Sequence, residues 1–551
     1  MKFLHYLRSP KLASIAFFYV LILLIASGDL FFFLKTRQYL LAITDLLTCY
    51  AFFLIPIFFF RKHLKPYAWL LLPVIVLAPF NALAIILFDV PINDATILLI
   101  LNTNYHEAYE LIKGYVPTII SIIVVYLGIY FLLVSKLPNQ ISVKFASVVS
   151  VCSVFMLSLL PFASSSTGSY FKILKGTFYF VFPTSIVRAV GTVYKQNQLI
   201  NNSKNERNNF KFGAKQTTTL SGQQVYLLII GESSRYKNWG INGYYRNTTP
   251  NLSKRSNLIS FTNASSGGFI TEFAVPLILT GVGANHFETH IKQKSIISAF
   301  REAGFSTYYI TNQTDEGHIR IHLEEADKKM LLLSDFKSTK HLHEDMELVG
   351  LLKKVLKEPG EKKFIVMHTL GSHYDYSARY PIDFDVFKPS NKSIFTQAAD
   401  YDHKNIIINS YDNSILYSDA VIDSSINLIA RENIFASVTY IADHGENLFD
   451  DSRKLSQHGY PYPSKYISHI PYFIWYSDSL QKRFPKKIEN LKKHVDSKVS
   501  SENLIYTFTS MGNISFPKQD SSKNISSPYF KNNQQRILGA DIKVYNCNSL
   551  K

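Results

Sequence analysis

Apolar residues fill the first 165 positions in long unbroken runs, then give way to shorter ones. Five early runs, 12–34, 39–60, 67–90, 116–135 and 142–163, reach the roughly 20 residues that a bilayer-spanning helix needs. Lys2, Arg8 and Lys11 precede the first run. It is longer than the apolar core of a cleaved signal and further runs follow, so an uncleaved signal-anchor is expected. Basic residues mark the cytoplasmic side: Arg61, Lys62 and Lys65 lie between the second and third runs, and Lys136 and Lys144 between the fourth and fifth. The loop at 91–115 is acidic on balance, with Asp94, Glu107 and Glu110 against Lys113, whereas Lys35 and Arg37 run against the pattern. Five spans that start inside place everything after about residue 165 outside the cytoplasm. Asp29 and Asp45 interrupt apolar runs close enough to one end that snorkelling toward water is expected.

The pattern changes over 164–220. Residues 164–170 are small and polar, and 171–194 mix aromatics with Lys172, Lys175 and Arg188. That amphipathic mixture suits a segment lying on a bilayer surface, or a packed helix pair. Residues 196–215, rich in Asn, Lys and Gln, read as a tether. Beyond them, short continuous apolar runs at 224–230, 306–310, 363–367, 436–441 and 472–475 read as strands buried on both faces. Helical patterns at 291–303, 345–356, 415–431 and 501–511 alternate with them. Such alternation predicts an α/β domain with a mostly parallel sheet, helices on both faces, and an active site at the carboxyl ends of the strands.

Composition splits the same way. Overall the 551 residues are 47% hydrophobic, with a mean hydropathy of +0.04 and a formal charge of +17. Residues 1–165 hold 11 Lys/Arg against 6 Asp/Glu, which leaves 47 against 35, or +12, for the rest. A chain this apolar is not disordered, and three cysteines, Cys49, Cys152 and Cys547, exclude a disulfide scaffold. The basic remainder suits an anionic membrane or polysaccharide neighbour, and equally plain solubility.

Chemistry collects at two strand ends. Residues 224–230 run into Gly231-Glu232-Ser233-Ser234, and 436–441 run into Ala442-Asp443-His444-Gly445-Glu446. Carboxylates and an imidazole converging from two strands suit Zn²⁺ or Mn²⁺. Taken alone, an Asp-His turn is more often plain surface.

Further motifs follow in order: GESSRYKNWGINGYYRNTTPNL (231–252), SSGGFITEFAVP (265–276), HTLGSH (368–373), SYDNSILYSD (410–419), ADHGENL (442–448), QHGYP (457–461) and IPYFIW (470–475). This ordered set resembles the phosphoethanolamine transferases of Gram-negative inner membranes. The resemblance implies a five-helix transmembrane bundle over 1–165, a membrane-surface bridging segment and linker over 166–220, and an extracytoplasmic sulfatase-like catalytic domain over 221–551. It implies metal ligation by Glu232, Thr271, Asp443 and His444, with Thr271 also the nucleophile. One divalent metal is expected, Zn²⁺ first, with Mn²⁺ or a second ion as alternatives. His373 and His458 match positions that line the site, where they would hold phosphate, act as acid or base, or bind a second zinc. His368 reads as structural, and Asn242, Arg246, Thr248 and Thr249 as loop-shaping residues. Residues 97–109 resemble a donor-lipid segment, in which Thr103 and Glu107 sit one helical turn apart and the carboxylate would pair with the ethanolamine ammonium. Leu99 stands where the family has asparagine. Gly267 and Leu277 stand where lipid A-modifying members carry a disulfide, a lean toward members that modify core sugars.

The implied reaction moves phosphoethanolamine from phosphatidylethanolamine through a covalent threonine intermediate to lipopolysaccharide, on a core sugar or lipid A. The protein is expected in the bacterial inner membrane with its catalytic domain in the periplasm, as a monomer without a nucleic-acid partner. A phosphoglycerol transferase of the lipoteichoic acid synthase type, a metal-dependent phosphatase or sulfatase, and a non-catalytic scaffold are the alternatives.

Overall fold

The computed structural model describes residues 10–35, 39–88, 91–92, 97, 114–158, 182–313, 317–332, 344–394, 396, 400–430, 434–460, 462–532, 535–540 and 543–550. These fall into two compact units, one up to Gln198 and one from Leu199 onward.

The first unit is helical. Three stretches, Phe17–Lys35, Ala42–Phe60 and Val116–Lys136, are long and apolar enough to cross a membrane. A fourth crossing needs Leu64–Leu70 and Leu72–Ile86 taken together, and the two are bent by 41°. The bend falls where Pro73 enters the second helix without an N–H to bond backward. Of the fifth expected run, Val143–Ser158 forms a shorter apolar helix, and 159–163 lie outside the described residues. Among the described residues, three helices, or four with the bent pair, are thus long and apolar enough to cross a membrane, against the five expected runs.

Asp29 and Asp45 do not snorkel. Both are buried inside the unit, at 0% and 1% exposure. Asp29 accepts bonds from Asn81 Nδ2 at 2.7 Å and from the Phe182 backbone N–H at 2.9 Å. A neighbouring helix and the Phe182 backbone thus supply the donors that make the interior tolerable for the Asp29 carboxylate. Residues 196–209, the larger part of the expected tether at 196–215, are helical instead, as the end of the helix Thr184–Asn209.

The second unit is built on a seven-stranded sheet: β1 Gln224–Gly231, β2 Leu258–Ser260, β3 Ser306–Thr311, β4 Lys328–Leu331, β5 Lys362–His368, β6 Phe435–Ala442 and β7 Tyr472–Tyr476. Their order across the sheet is β2-β7-β6-β1-β5-β3-β4. β1 is central and buried at all eight positions, as its unbroken apolar run predicts. Each fully buried Leu or Ile there contributes about 1.5–3 kcal/mol of hydrophobic stabilisation. The sheet is mixed. β1 runs parallel to β5 and β6, and β3 runs parallel to β4 and β5. β7 is antiparallel to β6 and β2. No long helix lies between β6 and β7, so the chain turns back along the sheet instead of crossing over it. Helices Thr271–Thr280, Ile296–Glu302, Met346–Lys357, Lys404–Ala430 and Asn503–Met511 contribute Ile278, Phe300, Leu352, Ile415 and Phe508 to the core around the sheet.

Candidate active site

The ends of β1 and β6 lie side by side, since Gly231 is in register with Ala442. Glu232 and Asp443, one residue further along each strand, are therefore neighbours. Their turns are tied together: the Ser233 N–H donates to Asp443 Oδ1 at 3.0 Å, and Ser233 Oγ donates to Glu232 Oε1 at 2.7 Å. Ser233 reaches this position with φ of +52°. The loop after β5 closes on the same turn. Gly371, at φ of +51°, packs so tightly that a Cβ there would sit 2.9 Å from the Glu232 backbone N and O.

Thr271 opens the helix Thr271–Thr280 directly after the extended Ile270. Its hydroxyl donates to Glu232 Oε2 at 3.0 Å and lies 3.3 Å from His444 Nε2. The helix N-terminus brings partial positive charge to the same point. His444 Nε2 is 3.3 Å from Asp443 Oδ2 and 3.6 Å from Glu232 Oε1. Three segments distant in sequence thus meet, bringing Glu232, Thr271 and the adjacent Asp443 and His444 together.

Three neighbouring histidines are each held through Nδ1. His444 Nδ1 bonds the Gly445 carbonyl at 2.9 Å, His373 Nδ1 the Tyr374 carbonyl at 2.7 Å, and His458 Nδ1 the Glu446 carboxylate at 2.9 Å. Each partner is an acceptor, so Nδ1 carries the proton and Nε2 keeps its lone pair for the site. The His444 and His458 rings lie 4.1 Å apart, and those of His373 and His458 6.3 Å.

The electrostatics are those of carboxylates crowded together in a buried site. Burial, then the charge of Asp443, pushes the Glu232 carboxyl up to about 8. Burial pushes Asp443 up to about 7 and Glu446 up to about 7. Burial, then His458, pushes His444 down to about 4. Asp443 Oδ2 is buried with no hydrogen-bond donor. One ligand atom from each of Glu232, Asp443 and His444 lies within 4.8 Å of the others, and His444, Glu446 and His458 form a second such group. This donor set, two carboxylates and an imidazole beside a hydroxyl, fits a divalent cation such as zinc.

Other expected residues fall outside the centre. His368 is buried in β5, with Tyr309 Oη 3.3 Å from its Nδ1. Burial pushes it down to about 3, as befits a structural histidine. Thr248 accepts the Gly240 N–H and Thr249 the Ile241 N–H, Asn242 accepts from Ser260, and Arg246 pairs with Asp412, so all four hold the loop after β1. Thr103, Glu107 and Leu99 lie outside the described residues. Where the family disulfide would lie, a Cβ added to Gly267 would stand 3.0 Å from Leu277 Cδ1. Cys49, Cys152 and Cys547 are all free.

Sequence patterns missed three supports. Gln313 Nε2 donates to Glu232 Oε2 and to the Thr369 carbonyl, both at 3.1 Å. Asp345 receives the Leu370 and Gly371 N–H groups at 2.9 and 2.8 Å and so fixes the loop after β5. Glu446 receives Tyr376 Oη at 2.9 Å as well as His458. Of these, Glu446 carried a signal, since it follows His444 by two residues.

Comparison with known proteins fits this geometry. Phosphoethanolamine transferase EptC of Escherichia coli K12 is 26% identical over 512 residues, covering 89% of this chain and 87% of that one. The crystal structure of the C-terminal periplasmic domain of E. coli EptC in complex with Zn matches with a TM-score of 0.55 at 25% identity, over 61% of this chain and 96% of that one. The integral membrane protein lipooligosaccharide phosphoethanolamine transferase A of Neisseria meningitidis shares the fold across 94% of this chain and 96% of its own, with a TM-score of 0.71 and 22% identity. The sulfatase family model matches residues 224–514, more than half of the chain and the whole of the seven-stranded sheet. The chain therefore belongs to the sulfatase family, among relatives named phosphoethanolamine transferases.

Proposed function

We propose that the protein is a metal-dependent phosphoethanolamine transferase that moves its group from phosphatidylethanolamine to lipopolysaccharide through Thr271. The observation that carries this reading is the Thr271 hydroxyl, at a helix N-terminus, 3.0 Å from Glu232 and 3.3 Å from His444 Nε2. Relatives named for this transfer support the choice of group over phosphoglycerol.

Glu232, Thr271, Asp443 and His444 would hold one divalent cation, Zn²⁺ by the donor set and by the relative's Zn complex. When bound, it supplies positive charge that favours the deprotonated threonine and offsets charge on the phosphoryl oxygens. Thr271 Oγ1 gives up its proton to a base of the site and attacks phosphorus, the bond to the diacylglycerol oxygen breaks as that oxygen takes the proton, and phosphoethanolamine rests on the threonine. An acceptor hydroxyl or phosphate then attacks phosphorus and releases Thr271. His458, fixed by Glu446, and His373, fixed by the Tyr374 carbonyl, turn Nε2 to the substrate, where each accepts a proton from the acceptor or returns one to the leaving oxygen.

The domain plan follows the same reading: residues 1–165 anchor the protein in the inner membrane, 166–220 bridge, and 221–551 work in the periplasm. Apolar helices in the first unit and relatives solved as periplasmic domains support it. Thr103 and Glu107 are assigned to the ethanolamine ammonium. Mass spectrometry of lipid A and core oligosaccharide, with and without the gene, tests the function. A phosphoethanolamine mass difference on one fragment is expected, and no difference on either contradicts the reading.

A further inference from the structure

Beside the candidate centre lies a second feature that the transfer chemistry does not use. A cavity of about 640 Å³ is walled by the segments that follow β1 and β6 and by the turn that leads into β7. Its size falls in the usual range of small-ligand sites, ~300–1,000 Å³. It touches the ligand-bearing turn. A Cβ on Gly445 would sit 1.9 Å from the Tyr466 carbonyl oxygen and 3.1 Å from Arg235 Cβ. One backbone layer therefore separates the cavity wall from Asp443 and His444.

The lining is cationic and aromatic. Around the Tyr466 ring stand Arg235 Cζ at 5.1 Å, Lys237 Nζ at 5.3 Å and Lys465 Nζ at 5.4 Å from its centroid. The nearby carboxylates offset only part of this charge. Asp450 gives both oxygens to Arg235, at 2.5 and 3.0 Å, and also pairs with Lys237 at 3.7 Å. Asp451 is paired with Arg453. Lys237 keeps 56% of its side chain exposed, and Lys465 is exposed as well. On another wall Tyr236 stacks on His469, with centroids 4.0 Å apart and 11° between planes.

Cations repel an ammonium headgroup, and ammonium side chains make a poor bed for acyl tails. Both arguments tell against the donor lipid. Lysines suit anionic oxygens, and flat aromatic faces suit the apolar faces of sugar rings. We propose that this cavity is the acceptor subsite and takes a phosphorylated sugar, with Lys237 and Lys465 on its anionic groups and Tyr466 and Tyr236 against its rings. The assignment of this ligand to the acceptor rests on the phosphoethanolamine transfer reading.

The test uses the full chain in detergent and two probes, a deacylated phosphorylated lipopolysaccharide oligosaccharide and the same oligosaccharide with its phosphates removed. Calorimetry is expected to show binding of the phosphorylated probe, weakened roughly tenfold in the double variant Lys237→Ala/Lys465→Ala. Lys237→Arg/Lys465→Arg restores it to within roughly twofold, because the charge is kept. The dephosphorylated probe binds wild type and the alanine variant alike. In turnover, the alanine variant raises the KM for the acceptor by the same factor. The KM for the donor, and diacylglycerol release without acceptor, stay at wild-type values, which also shows that the variant is folded. Equal binding of the phosphorylated probe by wild type and the alanine variant overturns the proposal, as does a change confined to the KM for the donor. If wild type binds the probe through these lysines yet releases no diacylglycerol, the cavity stands and the transfer reading falls.

Discussion

The second unit holds two buried clusters of carboxylates and histidines, and their carboxylates are shifted in opposite directions. In one, Arg207, His322 and Glu325 meet close to His290 and His318. Burial alone would push the Glu325 carboxyl up. Bonds from His322 and Ser298, with the charge of Arg207, outweigh it and hold Glu325 below its ordinary value. Arg207 is fully engaged as well: it pairs with Glu325 and donates to the carbonyls of His290, Gln293 and Ile321. In the other cluster, Glu232 and Asp443 face each other with no Lys or Arg hydrogen-bonded to either carboxylate, and both are pushed up, to about 8 and 7. The first cluster is closed, with Arg207 paired to Glu325, and it ties residues 199–209 to the segments that carry His290 and His322. The second is open: its paired carboxylates face each other without a Lys or Arg partner among the described residues, an arrangement that costs stability, as sites built for chemistry do.

The largest effect tests the open cluster. Thr271→Ala should lower transfer by roughly 10⁴-fold or more, since the covalent route disappears, while the thermal midpoint stays near wild type. A steady-state assay paired with a melting curve checks both halves.

Breaking the closed cluster should do the reverse. Arg207 and Glu325 keep side-chain exposures of only 10% and 6%. Arg207→Ala leaves a buried carboxylate unpaired and should cost about 3–5 kcal/mol of stability. Transfer per folded molecule should stay within a few-fold of wild type. A variant as active and as stable as wild type would break the contrast.

Removing metal comes next. Without a cation, Glu232, Asp443 and Glu446 keep their protons to about 8, 7 and 7 when folded, whereas unfolded carboxyls lose them near pH 4. The folded state then binds more protons, so stability of the metal-free protein should fall as pH rises from about 4 to about 8. Zinc at 100 times its Kd should restore about 2.7 kcal/mol at the upper end. Melting curves of chelated and zinc-loaded protein from pH 5 to 8 read this directly, and Asp443→Asn should abolish the zinc response. The smallest effect is Ser298→Ala, which removes one donor at 2.7 Å from Glu325 and should cost about 1 kcal/mol.

The same contrast explains what was legible in the sequence. The central strands announce themselves as apolar runs, and Glu232 and Asp443 announce themselves by ending two of them. Local pattern gives both. The sequence signals for β6 and β7 were equally clear, yet the direction of β7 depends on a connection whose path no local pattern encodes. Gln313, Asp345 and Arg207 act through contacts 81, 25 and 118 residues away along the chain and belong to no strand-end motif. Asp29 looked like a snorkelling residue because its partners, Asn81 and the Phe182 N–H, are distant in the chain. The Asn- and Lys-rich composition of 196–209 suggested a tether, but its helix is anchored by Arg207, whose bonds to the sheet domain no local propensity reveals.

The central claim is that phosphoethanolamine passes through Thr271. Purified protein incubated with phosphatidylethanolamine and no acceptor, then digested and sequenced by tandem mass spectrometry, tests it most directly. The account predicts a phosphoethanolamine adduct on Thr271, discharged on adding acceptor and absent from Thr271→Ala. An adduct on another residue, or steady transfer by Thr271→Ala, would contradict it.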